Sequence, residues 1–134
     1  MIKAIIIDAG GVLYLNHQGK GYLNEPLLEF MRAHQGHYRF GIISTTDYDL
    51  KAILEKDSIG NLFNVILTSG ETGLSKAEPL IYQQALSSLG TIPEETIFID
   101  NDEVYIKTAG SVGIKTILYI DFENCEKQLT KLTS

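Results

Sequence analysis

The chain has 134 residues, of which 44% are hydrophobic and 21% are charged, and this balance excludes disordered, collagen-like and repeat-array proteins. Eleven Lys and Arg against seventeen Asp and Glu give a net charge of −6 at pH 7, so we expect neither nucleic acid nor a membrane surface as a partner. The length is typical of one domain, and we expect residues 1–134 to form a single domain with little chain to spare for a lid.

The cysteine content and the first residues indicate a cytoplasmic protein. The single Cys125 cannot form a disulfide within the chain. The apolar run that begins the sequence reaches Asp8 too early to be a signal-peptide core or a membrane span. A reducing cytoplasm is therefore the expected compartment.

Unbroken apolar runs predict five β-strands. The first, Ala4–Ile7, is followed by Asp8 and then by the pair Gly10–Gly11. Runs of this kind are typical of strands that are covered on both faces of a sheet. The other four runs lie at residues 39–43, 63–67, 96–99 and 115–119.

Apolar residues at helical spacing lie between the predicted strands. Asp47 is the expected cap of the second helix, whereas Pro79 opens the third and Gly90 closes it. Residues 14–23 have no clear period and predict a polar loop. The alternation predicts an α/β fold with three layers, a Rossmann-like, doubly wound parallel sheet of five strands. The helices are predicted at 24–35, 47–54, 79–89, 102–110 and 122–132.

Polar side chains follow the carboxyl ends of the predicted strands. These ends share one edge of a parallel sheet, and ligands of open α/β sheets bind at that edge. The sequence therefore predicts a functional site there. In chain order, the candidates are Asp8, Ser44, Thr45, Lys76, Asp100 and Asn101.

This set of side chains fits phosphoryl transfer. Asp8 can attack phosphorus through a covalent acyl-phosphate, or can ligate a metal ion. Asp100 can complete a magnesium site, because this ion binds one or two carboxylates together with phosphate oxygens and water. Lys76 and Ser44 can bind the phosphate oxygens, and the Gly10–Gly11 pair lets backbone N–H groups approach the same oxygens.

The order of these residues resembles the haloacid dehalogenase-like (HAD) hydrolase superfamily. Receiver domains of phosphorelays differ, because they place an acidic pair first and the lysine late. The resemblance covers nearly the whole chain and is most specific in the third motif, where Lys76 and Pro79 fall at the family's spacing. The four motifs are Ile6–Leu13, Ile42–Thr45, Ser69–Pro79 and Phe98–Asp102.

The resemblance implies a magnesium-dependent phosphohydrolase that acts on a phosphorylated small molecule or macromolecule through an aspartyl-phosphate intermediate. It implies that Asp8 is the nucleophile and that Lys76 is catalytic with it. The expected phosphate-binding residues are Ser44, Thr45, Lys76, Gly10 and Gly11. The expected magnesium ligands are Asp8, the backbone carbonyl of Gly10, Asp100 and Asn101.

Two positions depart from the family pattern. Gly10 stands where the family usually has the aspartate that serves as general acid, and Asn101 replaces the second acid of the fourth motif. Loss of a general acid slows the hydrolysis of ordinary alkyl phosphates by about 10²–10⁴-fold. The alternative function is therefore a catalytically weakened module that binds a phospho-ligand or a protein. Asp102 or Glu103 could replace the lost metal acid if the loop turns inward.

The spacing of the motifs leaves no room for a cap domain. Residues 15–39, between the first and second motifs, already contain a predicted helix. An uncovered site admits water and selects small substrates poorly. We expect the loop 14–23, a second copy of the chain in a homodimer, or the substrate's own bulk to cover the site. A dehalogenase is disfavoured, because its substrate pocket relies on cap residues.

Overall fold

A parallel β-sheet lies at the centre of the computed structural model, which describes residues 1–46 and 48–134. Five of the described strands form this sheet in the order β5-β4-β1-β6-β7. The predicted doubly wound α/β fold is confirmed, since each of the five apolar runs forms one strand of the sheet. Over the described residues the strands are β1 (Ala4–Ile7), β2 (Tyr14–His17), β3 (Lys20–Leu23), β4 (Arg39–Ser44), β5 (Val65–Thr68), β6 (Thr96–Asp100) and β7 (Lys115–Leu118).

The helices are α1 (Glu25–Ala33), α2 (Leu50–Lys56), α3 (Ser69–Thr72), α4 (Pro79–Leu89), α5 (Glu103–Val112) and α6 (Phe122–Thr133). Pro79 opens α4, and Gly90 closes it with a left-handed φ of 68°, as predicted. The predicted cap Asp47 lies outside the described residues; Asp49 caps α2 by accepting the N–H of Ala52. Within the described part of the chain, no helix is long and apolar enough to cross a membrane.

Apolar side chains fill both faces of the sheet. Ile5 of β1 lies on one face and Ile6 on the other, because side chains alternate along a strand. The face that carries Ile5 packs against α1 and α6 through Leu28 and Leu129. The opposite face packs against α4 through Tyr82. Three layers result, with β1 in the middle of the central layer.

Residues 14–23 form a β-hairpin, so the prediction of a loop there is wrong. Strands β2 and β3 pair in antiparallel register, with Leu15 opposite Tyr22. The turn is made by Gln18 and Gly19, both at positive φ (53° and 81°), as in two-residue turns whose twist matches that of the flanking strands. Much of the hairpin is exposed, so no buried face imposes an alternating apolar pattern on the sequence.

The fully described stretches 8–38 and 69–95 contain the hairpin, α1, α3 and α4. Neither stretch carries an inserted domain over the carboxyl edge of the sheet. The hairpin directly follows the loop after β1. Backbone hydrogen bonds from Gly11 to Tyr14 and from Tyr14 to Ala9 join the start of the hairpin to that loop, at the carboxyl edge of the sheet. It is thus the element best placed to border a site at this edge.

Candidate active site

The carboxyl edge of the sheet collects buried polar side chains. Asp8 comes directly after β1 and is 6% exposed, while Ser44 and Asp100, the last residues of β4 and β6, are 2% and 0% exposed. Strand β1 is hydrogen-bonded to β4 on one side and to β6 on the other. Asp8 therefore stands between Ser44 and Asp100, about one strand spacing (~4.8 Å) from each strand.

Lys76 reaches into this edge from the loop between α3 and α4. Its ammonium lies 2.8 Å from Oδ1 of Asp8 and 2.8 Å from Oδ2 of Asp100, and the residue is 3% exposed. The ring of Tyr105 lies beneath the ammonium, with Nζ 4.5 Å from the ring centroid. Asp8, Lys76 and Asp100 form one buried ion cluster, in which a single cation faces two carboxylates.

The surroundings of the ion cluster set its protonation states. Burial raises the pKa of Asp8 to about 6; the charge of Lys76 opposes this shift and that of Asp100 adds to it. Burial would lower the pKa of Lys76, but Asp8 and Asp100 outweigh burial and raise that pKa above its usual value. At pH 7 Asp8 is therefore a carboxylate and Lys76 an ammonium, the states that an attack by Asp8 on phosphorus requires.

Two tyrosines that sequence reasoning does not assign to the site hold Lys76 in place. The hydroxyl of Tyr82 donates to the backbone carbonyl of Lys76 at 2.7 Å, and its ring packs edge-on against Phe98, with centroids 5.2 Å apart. Tyr82 lies on the apolar stripe of α4, so the sequence pattern assigns it to the core. Tyr105 carries a usable signal, since it lies in the first turn of the helix that follows the fourth motif.

The loop after β1 has open space at Gly10 and none at Gly11. No described atom lies within 4 Å of the place that a Cβ would take on Gly10. Gly11 has a φ of +86°, and a Cβ there would overlap the side-chain amide of Asn101. The amide of Asn101 therefore packs against the loop that follows Asp8, although the residue as a whole is exposed.

The remaining predicted residues lie farther out. Thr45 is exposed. Asp102 accepts the N–H of Val104 at 2.8 Å and caps α5, while Glu103 is exposed. Neither acid turns inward to stand beside Asp100 in place of Asn101.

The loop after β4 is hydrogen-bonded to α3. These hydrogen bonds connect the second motif to the third. The carbonyl of Thr46 accepts the N–H of Gly70 at 2.8 Å and the hydroxyl of Ser69 at 3.1 Å. The side chain of Thr68, 1% exposed, accepts the N–H of Glu71. These bonds hold the backbone beside Ser44 in a fixed position. Sequence reasoning does not single out Thr68, because a strand-end threonine carries no specific signal.

A cleft lies on each side of the ion cluster along this edge. The cleft on the β5 side has a volume of about 440 Å³ and a polar lining. The cleft on the β7 side has a volume of about 410 Å³ and a largely apolar lining. The first is lined by Tyr48, Lys51, Thr68 and Glu71 among others, and the second by Leu15, Tyr22, Tyr119 and Phe122 among others.

The chain is similar in sequence to one protein family and to several characterised proteins. The family model described as haloacid dehalogenase-like hydrolase matches residues 23–119. The chain is 25% identical over 93 residues to drimenol cyclase of Aspergillus calidoustus, and the aligned region covers 69% of this chain and 18% of that protein. It is 34% identical over 71 residues to bifunctional epoxide hydrolase 2 of Rattus norvegicus (53% of this chain, 13% of that protein). It is 32% identical over 56 residues to phosphoserine phosphatase of Thermus thermophilus (41% and 22%).

The chain thus spans less than a quarter of the length of these curated relatives. Two solved structures match over nearly the whole length of both chains. A HAD-like family hydrolase of Porphyromonas gingivalis has a TM-score of 0.80 at 18% identity, covering 99% of this chain and 98% of that one. A HAD family enzyme of Bacteroides thetaiotaomicron, crystallised with magnesium and inorganic phosphate, has a TM-score of 0.77 at 19% identity, covering 93% and 99%. At such identities the likeness shows a shared fold.

Proposed function

The chain belongs to the haloacid dehalogenase-like hydrolase family, and from that premise we propose that it is a magnesium-dependent phosphohydrolase with Asp8 as nucleophile. The observation that carries the proposal is the ion cluster, in which Lys76 lies 2.8 Å from Asp8 and 2.8 Å from Asp100. Charged groups lose their hydration on burial, and such clusters contribute little net stability. A cluster of this kind at the ligand-binding edge of an α/β sheet is better explained by chemistry than by folding.

In the proposed reaction, a carboxylate oxygen of Asp8 attacks phosphorus as the ester P–O bond breaks and the leaving oxygen departs with that bond's electrons. Water then attacks phosphorus in the aspartyl-phosphate, which releases inorganic phosphate and restores the carboxylate. Lys76 already contacts Oδ1 of Asp8, so Oδ2 is the oxygen available for attack. The ammonium of Lys76 and the hydroxyl of Ser44 would bind the non-bridging phosphate oxygens.

The donor set at this edge fits magnesium. The carboxylates of Asp8 and Asp100, the carbonyl of Gly10 and the amide oxygen of Asn101 are hard oxygen donors, which this ion prefers. Among the described residues no group of three or more His, Cys, Asp or Glu side chains could hold a metal, but magnesium needs just one or two carboxylates besides phosphate oxygens and water. When bound, it would offset negative charge on the transferring phosphoryl group.

Gly10 decides which esters should react fastest. It supplies no acid to protonate the leaving oxygen, an assistance that is worth about 10²–10⁴-fold for poor leaving groups. Esters with acidic leaving groups, such as aryl phosphates, depend less on this proton. The proposed substrates are therefore phosphorylated small molecules or macromolecules whose leaving group departs readily.

The test is an assay of purified protein with magnesium and phenyl phosphate. Asp8→Asn removes the nucleophile, so turnover should fall by about 10⁴-fold or more. Asp49→Asn is the matched control, because Asn also serves as a helix cap and Asp49 caps α2. Mass spectrometry of acid-quenched wild-type protein should find one phosphoryl group on the peptide that carries Asp8. Equal rates in wild type and Asp8→Asn would overturn the proposal.

A second candidate is a phospho-ligand binding module with weak or no catalysis, and the bare Gly10 position favours it. The open space around Gly10 makes the discriminating variant practicable, because a Cβ added there meets no described atom within 4 Å. If Gly10→Asp raises alkyl phosphate hydrolysis from near zero by orders of magnitude, the native chain is a binder or a very slow enzyme. If the rate stays within a few fold, another group already supplies the proton.

We also propose that residues 1–134 act as one capless core domain. The support is that the hairpin and the ends of the sheet strands border the site, with no inserted domain in the described stretches 8–38 and 69–95. A second copy of the chain, the hairpin or a bulky substrate would then shield the aspartyl-phosphate from side reactions.

A further inference from the structure

We propose that the cleft on the β7 side, here called the apolar cleft, binds a neutral aromatic or aliphatic group of the phosphorylated substrate. This inference rests on the proposed phosphohydrolase function and names its substrate class. The apolar cleft has a volume of about 410 Å³, within the roughly 300–1,000 Å³ typical of small-molecule sites. Side chains that line it include Leu15, Tyr22, Pro26, Ile120 and Phe122.

Hydrogen bonds tie the walls of the apolar cleft to the ion cluster. Tyr119 lines the cleft and donates its backbone N–H to the carbonyl of Asp100 at 2.8 Å. Asn24, also in the wall, donates from Nδ2 to the carbonyl of Val12 at 2.9 Å and to the hydroxyl oxygen of Tyr119 at 2.8 Å. Since Val12 lies in the loop after Asp8, these bonds place both walls of the apolar cleft beside the backbone segments that carry Asp8 and Asp100. The cleft and Asp8 lie at the same edge of the sheet, so the inference is that an ester whose phosphate lies at Asp8 extends its organic group toward the cleft.

The chemistry of the walls selects a neutral group. Both the amide nitrogen and the amide oxygen of Asn24 already have hydrogen-bond partners within the chain, because Oδ1 also accepts the N–H of Leu27. Asp121 lines the cleft and caps α6 by accepting the N–H of Asn124 at 2.8 Å. Glu25 and Asp121 add negative charge at the cleft, which disfavours a second anionic group on the substrate. An apolar group would contact apolar side chains, and it would leave these polar groups of the wall with their present hydrogen bonds.

The exposed side chains at the cleft point to a ligand that covers them. Tyr22 is 50% exposed and Ile120 is 70% exposed, and burial of such surface is favourable. A stable protein interface draws on about 20–30 residues of each partner, whereas ten described residues line the apolar cleft. The concave shape and small volume therefore fit the organic group of an ester better than the surface of a second copy.

The experiment compares phenyl phosphate with 4-butylphenyl phosphate, whose leaving phenols have similar acidity. Each buried methylene strengthens binding by about fourfold. With the butyl chain about half buried, kcat/KM should favour 4-butylphenyl phosphate by about tenfold. Tyr22→Ser and Ile120→Ser should each reduce that preference to about threefold or less. Tyr48→Ser is the matched control, because Tyr48 is 52% exposed and lines the other cleft; it should keep the full preference.

Binding to the Asp8→Asn variant, measured by calorimetry with the same two esters, separates this inference from the proposed function. Tighter binding of 4-butylphenyl phosphate that Tyr22→Ser abolishes supports the apolar cleft even if wild-type protein does not turn over. Hydrolysis of both esters with equal kcat/KM overturns the cleft assignment and leaves the phosphohydrolase standing. A preference that survives both Tyr22→Ser and Ile120→Ser also overturns it.

Sedimentation velocity of the wild-type chain tests the competing occupant. If the chain is a dimer that Ile120→Ser converts to a monomer, a second copy covers the apolar cleft and the substrate assignment is overturned. A wild-type monomer that shows the ester preference supports the assignment. The same samples can be used for both measurements, so oligomeric state and specificity are compared under one set of conditions.

Discussion

Lys76 and Lys51 both pair with carboxylates near the carboxyl edge of the sheet, but in different surroundings. Lys76 is 3% exposed and lies 2.8 Å from each of Asp8 and Asp100. Lys51 lies 3.2 Å from Glu71, and these side chains are 55% and 49% exposed. Water and salt screen the exposed pair and hardly reach the buried one. Burial therefore decides how much stability is lost when one partner of an ion pair is removed.

The largest expected effect comes from Lys76→Met, which removes the cation from the ion cluster. Two adjacent buried carboxylates would remain without a partner, so we expect a loss of about 3–5 kcal/mol in the free energy of unfolding. Urea unfolding followed by circular dichroism measures this loss. The triple variant with Lys76→Met, Asp8→Asn and Asp100→Asn removes all three charges and should cost less than Lys76→Met. A loss under about 1 kcal/mol for Lys76→Met would show that burial does not raise the cost of removing the cation from an ion pair in this chain.

An intermediate effect is expected for Asn24→Ala, which tests a buried group without charge. Asn24 is 2% exposed, caps α1 and donates to Val12 and Tyr119. Loss of the cap and of these hydrogen bonds should cost about 2–3 kcal/mol. Asn24→Ser is the control, because Ser also serves as a helix cap but lacks the amide that donates to Val12 and Tyr119, so it should separate the two contributions. A cost for Asn24→Ala that matches that of Lys76→Met would show that charge adds nothing to burial.

The smallest effect is expected for Lys51→Met, which breaks the exposed pair with Glu71. Met has a helix propensity close to that of Lys, so the change should cost less than about 1 kcal/mol. Chemical denaturation of Lys51→Met, Glu71→Gln and the double variant gives the coupling energy of the pair. We expect that coupling to decline further in high salt. A coupling above about 2 kcal/mol would show that exposure is a poor guide to the strength of ion pairs in this chain.

Much of the fold could be predicted from the sequence because its signals are local. The Ile-rich run before Asp8 is apolar throughout, which is what a strand buried on both faces requires. Pro79 and Gly90 mark the ends of α4 because each has a backbone conformation that suits its place. Cys125 lies on the apolar stripe of α6 and is fully buried in the core. Its burial raises the pKa of its thiol to about 12, which suits a core residue and not a nucleophile.

The hairpin at residues 14–23 is not predicted from periodicity, because two of its features do not depend on the spacing of apolar residues. Tyr14 donates from its hydroxyl to a carboxylate oxygen of Asp57 at 2.6 Å, across 43 residues of sequence. Its turn places Gln18 at a positive φ, a conformation that few residues other than glycine adopt readily. Neither feature leaves a mark on the pattern of apolar residues. The local sequence therefore reads as a loop.

The order of the motifs, the strands that carry them and the family of the chain all follow from the amino-acid sequence, because each depends on residues that are near one another along the chain. Only the folded chain shows that the ammonium of Lys76 lies between Asp8 and Asp100, 68 and 24 residues away, with Tyr105 beneath it. It also shows that the two flanks of the site differ in polarity. Side chains that are far apart in the sequence meet through sheet pairing and packing. Their contacts and their pKa values therefore depend on the folded chain.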